Sequence, residues 1–187
     1  MTYVFAVLAA IGLAACAGLR AFLPLFVAGL AARIMDWPLA ERLAWLASTP
    51  ALIVFGIASL VEIAADKIPI VDHGLDAAHT FLGPAAGAVV AMAPMFRLEL
   101  PAPLTVALGI MTGAGVAGGV HAIAAAARLK STATTAGLAN PILSFIEDAL
   151  AVLWALVAIL APILVIVALA MFAVVVRKLW RLRRARA

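Results

Sequence analysis

The chain has 187 residues, of which 67% are hydrophobic and 12% charged, and its mean hydropathy is +1.22. Soluble domains are about 45–50% apolar and about 25% charged, and a domain this small exposes much of its surface, so the surplus cannot hide in a core. This excludes a soluble fold and predicts an all-α, polytopic membrane protein with a single transmembrane domain over residues 1–176. The formal net charge is +4, but six of the thirteen Lys and Arg lie in the last eleven residues: Arg177, Lys178, Arg181, Arg183, Arg184 and Arg186. Such a run after a hydrophobic helix reads as a cytoplasmic tail, residues 177–187, drawn to anionic lipid headgroups. Nothing resembles an aromatic-rich platform or a folded basic domain, so no nucleic-acid partner is expected.

A spanning helix needs about 20 mostly apolar residues. The first candidate covers residues 3–32, long enough to tilt or to break at Pro24. It contains the lone Cys16, in a Leu13-Ala14-Ala15-Cys16 box like that of lipoproteins. No Lys or Arg precedes the box and the apolar run continues past it, so Cys16 reads as a packing residue. Residues 33–49 put Leu39, Leu43 and Leu46 on one helical face, with Trp37 and Trp45 nearby, as in a short interfacial helix. The second span covers residues 50–65. A polar stretch, 66–80, precedes a short third span at 81–96. A proline-bounded loop at 97–103 then leads to a glycine-rich fourth span, 104–127. There Gly115-x3-Gly119 suggests close helix contact. After a second polar connection, 128–140, the fifth and sixth spans cover 141–160 and 163–176, divided at Pro162.

Basic residues near span ends set the orientation. One side holds Lys67, Arg128, Lys130 and the six tail residues, the other Arg33, Arg42 and Arg97. Nine against three places the C-terminus in the cytoplasm of a cell with a bacterial inner membrane. A mere kink at Pro162 would reduce six spans to five. Gly18-Leu19-Arg20-Ala21 and Gly119-Val120-His121-Ala122 are alike, which suggests two inverted three-helix repeats, 1–97 and 103–176.

Two polar segments could carry chemistry. The first is Glu62-x3-Asp66-Lys67-Ile68-Pro69-x2-Asp72-His73-Gly74-x-Asp76-x2-His79. Its carboxylates and imidazoles lie between nearly charge-free stretches, and its Pro and Gly suggest an irregular or re-entrant segment lining a watery cavity. Asp72, Asp76 and His79 would share one helical face and could hold a divalent cation, although no recognised metal motif is present. The second segment holds Ser131, Thr132 and Asn140 in a polar turn, followed by Glu147 and Asp148 about two turns into span five. Arg20, near the middle of span one, costs on the order of 2.5–3.5 kcal/mol at bilayer centre. It therefore requires a carboxylate, with Glu62, Asp66 and Glu147 as candidates. His121 is a proton carrier or a packing residue.

These residues also carry a resemblance. Gly18-Leu19-Arg20-Ala21-Phe22-Leu23-Pro24-Leu25, Glu62-x3-Asp66-Lys67-Ile68-Pro69-x2-Asp72, Thr80-x3-Pro84-Ala85-Ala86-Gly87-Ala88 and the stretch from Ser131 to Asp148 resemble, in that order, the bacterial membrane family catalogued as domain of unknown function 4126. The resemblance implies a small helical membrane protein and no particular activity.

The expectation is a small transporter or channel for an ion or small polar solute. Its site would lie between the halves and use Arg20, Glu62, Asp66, Lys67, Asp72, Asp76, Ser131, Thr132, Asn140, Glu147 and Asp148. No cofactor is required beyond a divalent cation in the metal reading, and a homo-oligomer is compatible with the chain. The alternatives are a membrane enzyme acting on a lipid or lipid-linked phosphate, or a structural subunit. The absence of a P-loop, a G-x-S-x-G elbow or a strong zinc signature weighs against the enzyme.

Overall fold

The computed structural model describes residues 2–37, 39–162, 164–167, 170, 171, 174 and 177, without the side chains of Thr2, residues 69–73 and Arg97. The basic tail beyond Arg177 lies outside the described residues. The described residues are all-helical, with α1 at Thr2–Leu19, α2 at Phe22–Ile34, α3 at Thr49–Ala65 and α4 at Pro69–Met95. These are followed by α5 at Ala102–Gly109, α6 at Gly115–Thr135 and α7 at Asn140–Leu160. A 3₁₀ helix, Glu41–Ala47, precedes α3, and a π-helical turn, Ile110–Ala114, joins α5 to α6.

Prolines open four of these helices. Pro50, Pro69, Pro103 and Pro141 occupy first-turn positions, where the missing N–H costs nothing and φ is already helical. Glu99 and the pair Ala136–Gly137 stop helices by adopting positive φ.

The alanine-rich α1 is the hub. From Leu8 to Ala17 it is buried apart from Ile11, packed against α4, α6 and α7, because small side chains let helices approach closely. Ala6 and Ala10 share a cluster with Ala91 and Met95, while His79 meets Ala17, so α4 runs antiparallel to α1. Ser144 meets Arg20 and Ala158 faces Gly12, so α7 does the same. Leu23 and Val27 pack with Ala151 and Ala155 of α7, so α2 runs alongside α7 and doubles back on α1. The first apolar run is thus a helical hairpin whose tip is Arg20–Ala21. The chain reverses there, four residues before Pro24, for a reason the site supplies.

Three segments are long and apolar enough to cross a membrane: Gly74–Met95, Ala102–Thr135 and Asn140–Leu160. A fourth arises if the 3₁₀ helix and α3, bent by 62°, count as one span. Ile53, Val54, Ile57, Leu60 and Val61 of α3 are exposed, as a lipid-facing surface would be.

Two expected irregular segments are helical. The polar stretch is a turn only at 66–68 and then the first turns of α4. Ser131 to Thr135 continue α6, and the turn falls at 136–139. No Gly or Pro interrupts residues 120–135, so the helix propagates past the end of the apolar run. The tight glycines also differ from the expected pair. A Cβ on Gly113 would lie 2.6 Å from the Gly87 carbonyl carbon, whereas Gly115 and Gly119 face open space. At Pro162 the division is real: Ala161 leaves the helix at φ −147° and residues 164–167 are helical again.

Candidate functional site

The turn at Arg20 is built by carboxylates from α3. Glu62 Oε1 accepts the Ala21 N–H at 2.8 Å, and its Oε2 accepts that of Phe22 at 3.2 Å. These are free donors at the start of α2, where the helix dipole favours negative charge. One turn further along, just past the end of α3, Asp66 Oδ2 accepts from Arg20 Nη2 at 2.5 Å. Arg20, 2% exposed, also donates from Nε to Asp148 Oδ1 at 2.6 Å and from Nη2 to Ser144 Oγ at 3.2 Å. Every bond of this guanidinium thus ties the hairpin tip to α3 or α7.

A second guanidinium completes the network. Arg128 of α6 donates to Asp66 Oδ1 at 3.1 Å and Oδ2 at 2.8 Å, and to Asp76 Oδ1 of α4 at 3.2 Å. It also grips Glu147, with Nε to both carboxylate oxygens and Nη2 to Oε2. Glu147 and Asp148 are consecutive on α7, about 100° apart around its axis, so each faces a different arginine. Lys67 Nζ reaches Asp148 Oδ2 at 2.5 Å and Ser144 Oγ at 2.6 Å, and lies 4.5 Å from the centre of the Phe145 ring. Ser144 in turn donates to Asp66 at 3.0 Å. Charges removed from water are stable only when paired and hydrogen-bonded, and Asp66 is the shared acceptor that satisfies this for both arginines.

The network sits within the first two to three turns of α7, about 6–12 Å from its start at Asn140, and at the last turn of α3. It therefore lies toward one end of the bundle. It separates two spaces. One is a small, partly enclosed recess of about 10 Å³, about enough for one water, walled by Arg20, Glu62, Asp66, His79, His121 and Arg128 among others. The other is an open cleft of about 340 Å³ lined by Asp76, Arg128, Thr132 and Asn140 with Ala125, Ala126 and Leu129. Asp76 and Arg128 face both.

Of the expected site residues, Arg20, Glu62, Asp66, Lys67, Asp76, Glu147 and Asp148 converge. Thr132 and Asn140 line the cleft, bonded to each other at 2.9 Å. Ser131 stands apart from the ion pairs, and its Oγ and Asn140 Oδ1 are buried with no hydrogen-bond partner among the described residues. The side chain of Asp72 lies outside the described residues. Arg20 takes Asp66, as expected, but its second carboxylate is Asp148; Glu62 is drawn to the backbone and Glu147 to Arg128. Among the described residues no group of three donors could hold a metal ion. Asp76 is held by Arg128, and the His79 ring nitrogens face Ala17 O and Glu62.

Two members were missed. Arg128 looked like a loop-flanking cation because the apolar run stops at Ala127. The uninterrupted helix-forming sequence through Thr135 was the signal that it lies inside a helix. Ser144 carried no signal, since its role exists only once Arg20, Lys67 and Asp66 surround it.

Apolar helices long enough for a bilayer, with ionisable side chains turned inward and paired, are compatible with the class of integral helical membrane proteins. Within that class the model of the family described as domain of unknown function 4126 matches residues 7–182, and the chain belongs to that family. No curated protein and no solved structure matches it.

Proposed function

We propose that this protein carries an ion or small polar solute across the bacterial cytoplasmic membrane, with the Asp66-centred network as both binding site and closed barrier. The supporting observation is the wall formed by Asp76 and Arg128. An open cleft ends on these two side chains, and behind them lies room for about one water. Groups that pair with each other when the site is closed can pair instead with a polar solute when it opens, so the buried charges need never be stranded. A purely structural role would need no cleft leading to the ion pairs.

In this reading α1 and α2 form a re-entrant hairpin. The crossings are α3, α4, α5–α6, α7 and the segment after Pro162: five, because the first apolar run drops out and not because the helices join at Pro162. Lys67, Arg128, Lys130 and the tail then share the cytoplasmic end, with Arg33, Arg42 and Arg97 at the other. Residues 1–97 and 103–176 each give one buried arginine, Arg20 or Arg128, to the same aspartate.

The test is charge movement on a solid-supported membrane carrying the reconstituted chain. Jumps are applied in Na⁺, K⁺, Mg²⁺, chloride, phosphate and a panel of amino acids and sugars. At least one jump should evoke a saturable current, and Asp66→Asn, which replaces one acceptor oxygen by an amide donor facing guanidinium, should abolish it. Currents absent from the wild type, or unchanged in a well-folded Asp66→Asn, would overturn the proposal.

A further inference from the structure

Resting on the carrier reading, we propose that the coupling ion is the proton and that the His79–Glu62 pair carries it. His79 is buried, with Nε2 3.1 Å from the Ala17 carbonyl oxygen. A carbonyl only accepts, so Nε2 bears a hydrogen. Its Nδ1 lies 3.1 Å from Glu62 Oε1. A ring nitrogen and a carboxylate oxygen at this distance need a proton between them, as imidazolium with carboxylate or as imidazole with carboxylic acid. Either way the pair is neutral as a unit, so the proton can shift between the two atoms without changing the charge of a buried site.

This contact is therefore the loaded state. Release of the proton to water leaves two lone pairs facing each other and drives the side chains apart. The same Glu62 oxygens hold the Ala21 and Phe22 N–H groups at the hairpin tip, next to Arg20. Loading and unloading thereby act on the tip that supplies Arg20 to Asp66, which couples the proton to the solute barrier.

Further polar groups adjoin the pair. His121 stacks on His79 with ring centres 5.0 Å apart, and its Nε2 lies 3.4 Å from the hydroxyl of the exposed Thr80. Both imidazoles and Glu62 border the small recess that accommodates about one water. The charged groups around the pair are Arg20 at the hairpin tip, Asp66 at the end of α3, Asp76 of α4, Arg128 of α6 and Glu147 of α7. They are engaged with one another, which leaves the His79–Glu62 pair as the member of the site whose bonding depends on one exchangeable proton.

The experiment uses liposomes holding the full chain and the pH dye pyranine, with a potassium diffusion potential, negative inside, set by valinomycin. The solute panel is applied in parallel. His79→Gln keeps a donor for the Ala17 carbonyl but cannot be protonated, and Glu62→Gln removes the other half of the pair. Wild-type vesicles should acidify, and both variants should do so at least about tenfold more slowly while remaining monodisperse. ¹⁵N NMR of histidine-labelled protein in bilayers, with His79 assigned by its loss in His79→Gln, should show a proton on Nδ1 shared with a carboxylate. This readout holds even if Glu62→Gln fails to fold. Solute currents without proton uptake would overturn the proton as coupling ion and leave the carrier reading intact. So would undiminished uptake in His79→Gln. Uptake that depends on His79, with no current from any solute, would sustain the proton role and sink the solute carrier instead.

Discussion

The two buried arginines are predicted to be unequal, and the structure says which matters more. In Arg20→Leu neither carboxylate is stranded: Asp66 keeps Arg128 at 2.8 Å and Asp148 keeps Lys67 at 2.5 Å. The loss is mainly that of charge-assisted hydrogen bonds, about 1.5–3 kcal/mol. In Arg128→Leu, Glu147 loses the only cation that holds it among the described residues, at 9% side-chain exposure. A buried charge left alone costs about 3–5 kcal/mol. The difference, about 2 kcal/mol, corresponds to about 4–8 °C in Tm for a chain of this length. Removing the stranded acid as well, in Arg128→Leu/Glu147→Leu, should restore at least half of the lost stability, because Asp66 still has Arg20 and Asp76 is partly in water. Thermal unfolding in detergent measures all three variants. An Arg20→Leu protein that melts at or below Arg128→Leu, or a double variant no more stable than the single, would refute this account of how the charges are shared.

Other consequences are simpler to check. Gly113→Ala would press a methyl against backbone atoms of Gly87 and Ala88, 2.6–2.7 Å away, and should cost about 1–3 kcal/mol. Gly119→Ala meets nothing within 4 Å and should be neutral or up to about 1 kcal/mol stabilising, so equal melting shifts in the two variants would contradict the packing of the π-helical turn on α4. Cys16, the chain's one cysteine, is fully buried, so a thiol-reactive dye should label the folded protein negligibly and completely only after unfolding. Rapid labelling without unfolding would show that the α1 core is open.

Much of the site was legible because charge in an apolar chain is conspicuous. Arg20, Glu62, Glu147 and Asp148 interrupt apolar runs, Asp66 and Asp76 lie in a polar stretch between nearly charge-free segments, and the solvation penalty requires such groups to find partners. Which partner each takes was not legible. Glu62 and Asp66 are four apart on one helical face, yet one caps a backbone and the other bridges two arginines, a choice made by the height at which the hairpin tip meets α3. Arg128 escaped notice because its charge was assigned to a loop by hydropathy, which cannot distinguish the end of an apolar run from the end of a helix.

Composition by itself determined that the chain is helical and suited to lipid, since two-thirds apolar residues leave a domain of this size no aqueous solution. Family membership was equally visible in the order of its polar motifs. Only the tertiary structure decided that the first apolar run folds back on itself at Arg20 and that one aspartate serves two guanidiniums from opposite halves. It also decided that a histidine and a glutamate meet beneath the turn. Burial and periodicity are properties of single segments, whereas those features depend on the relative height and rotation of helices far apart in the chain, which close packing of small residues sets to within an ångström or so.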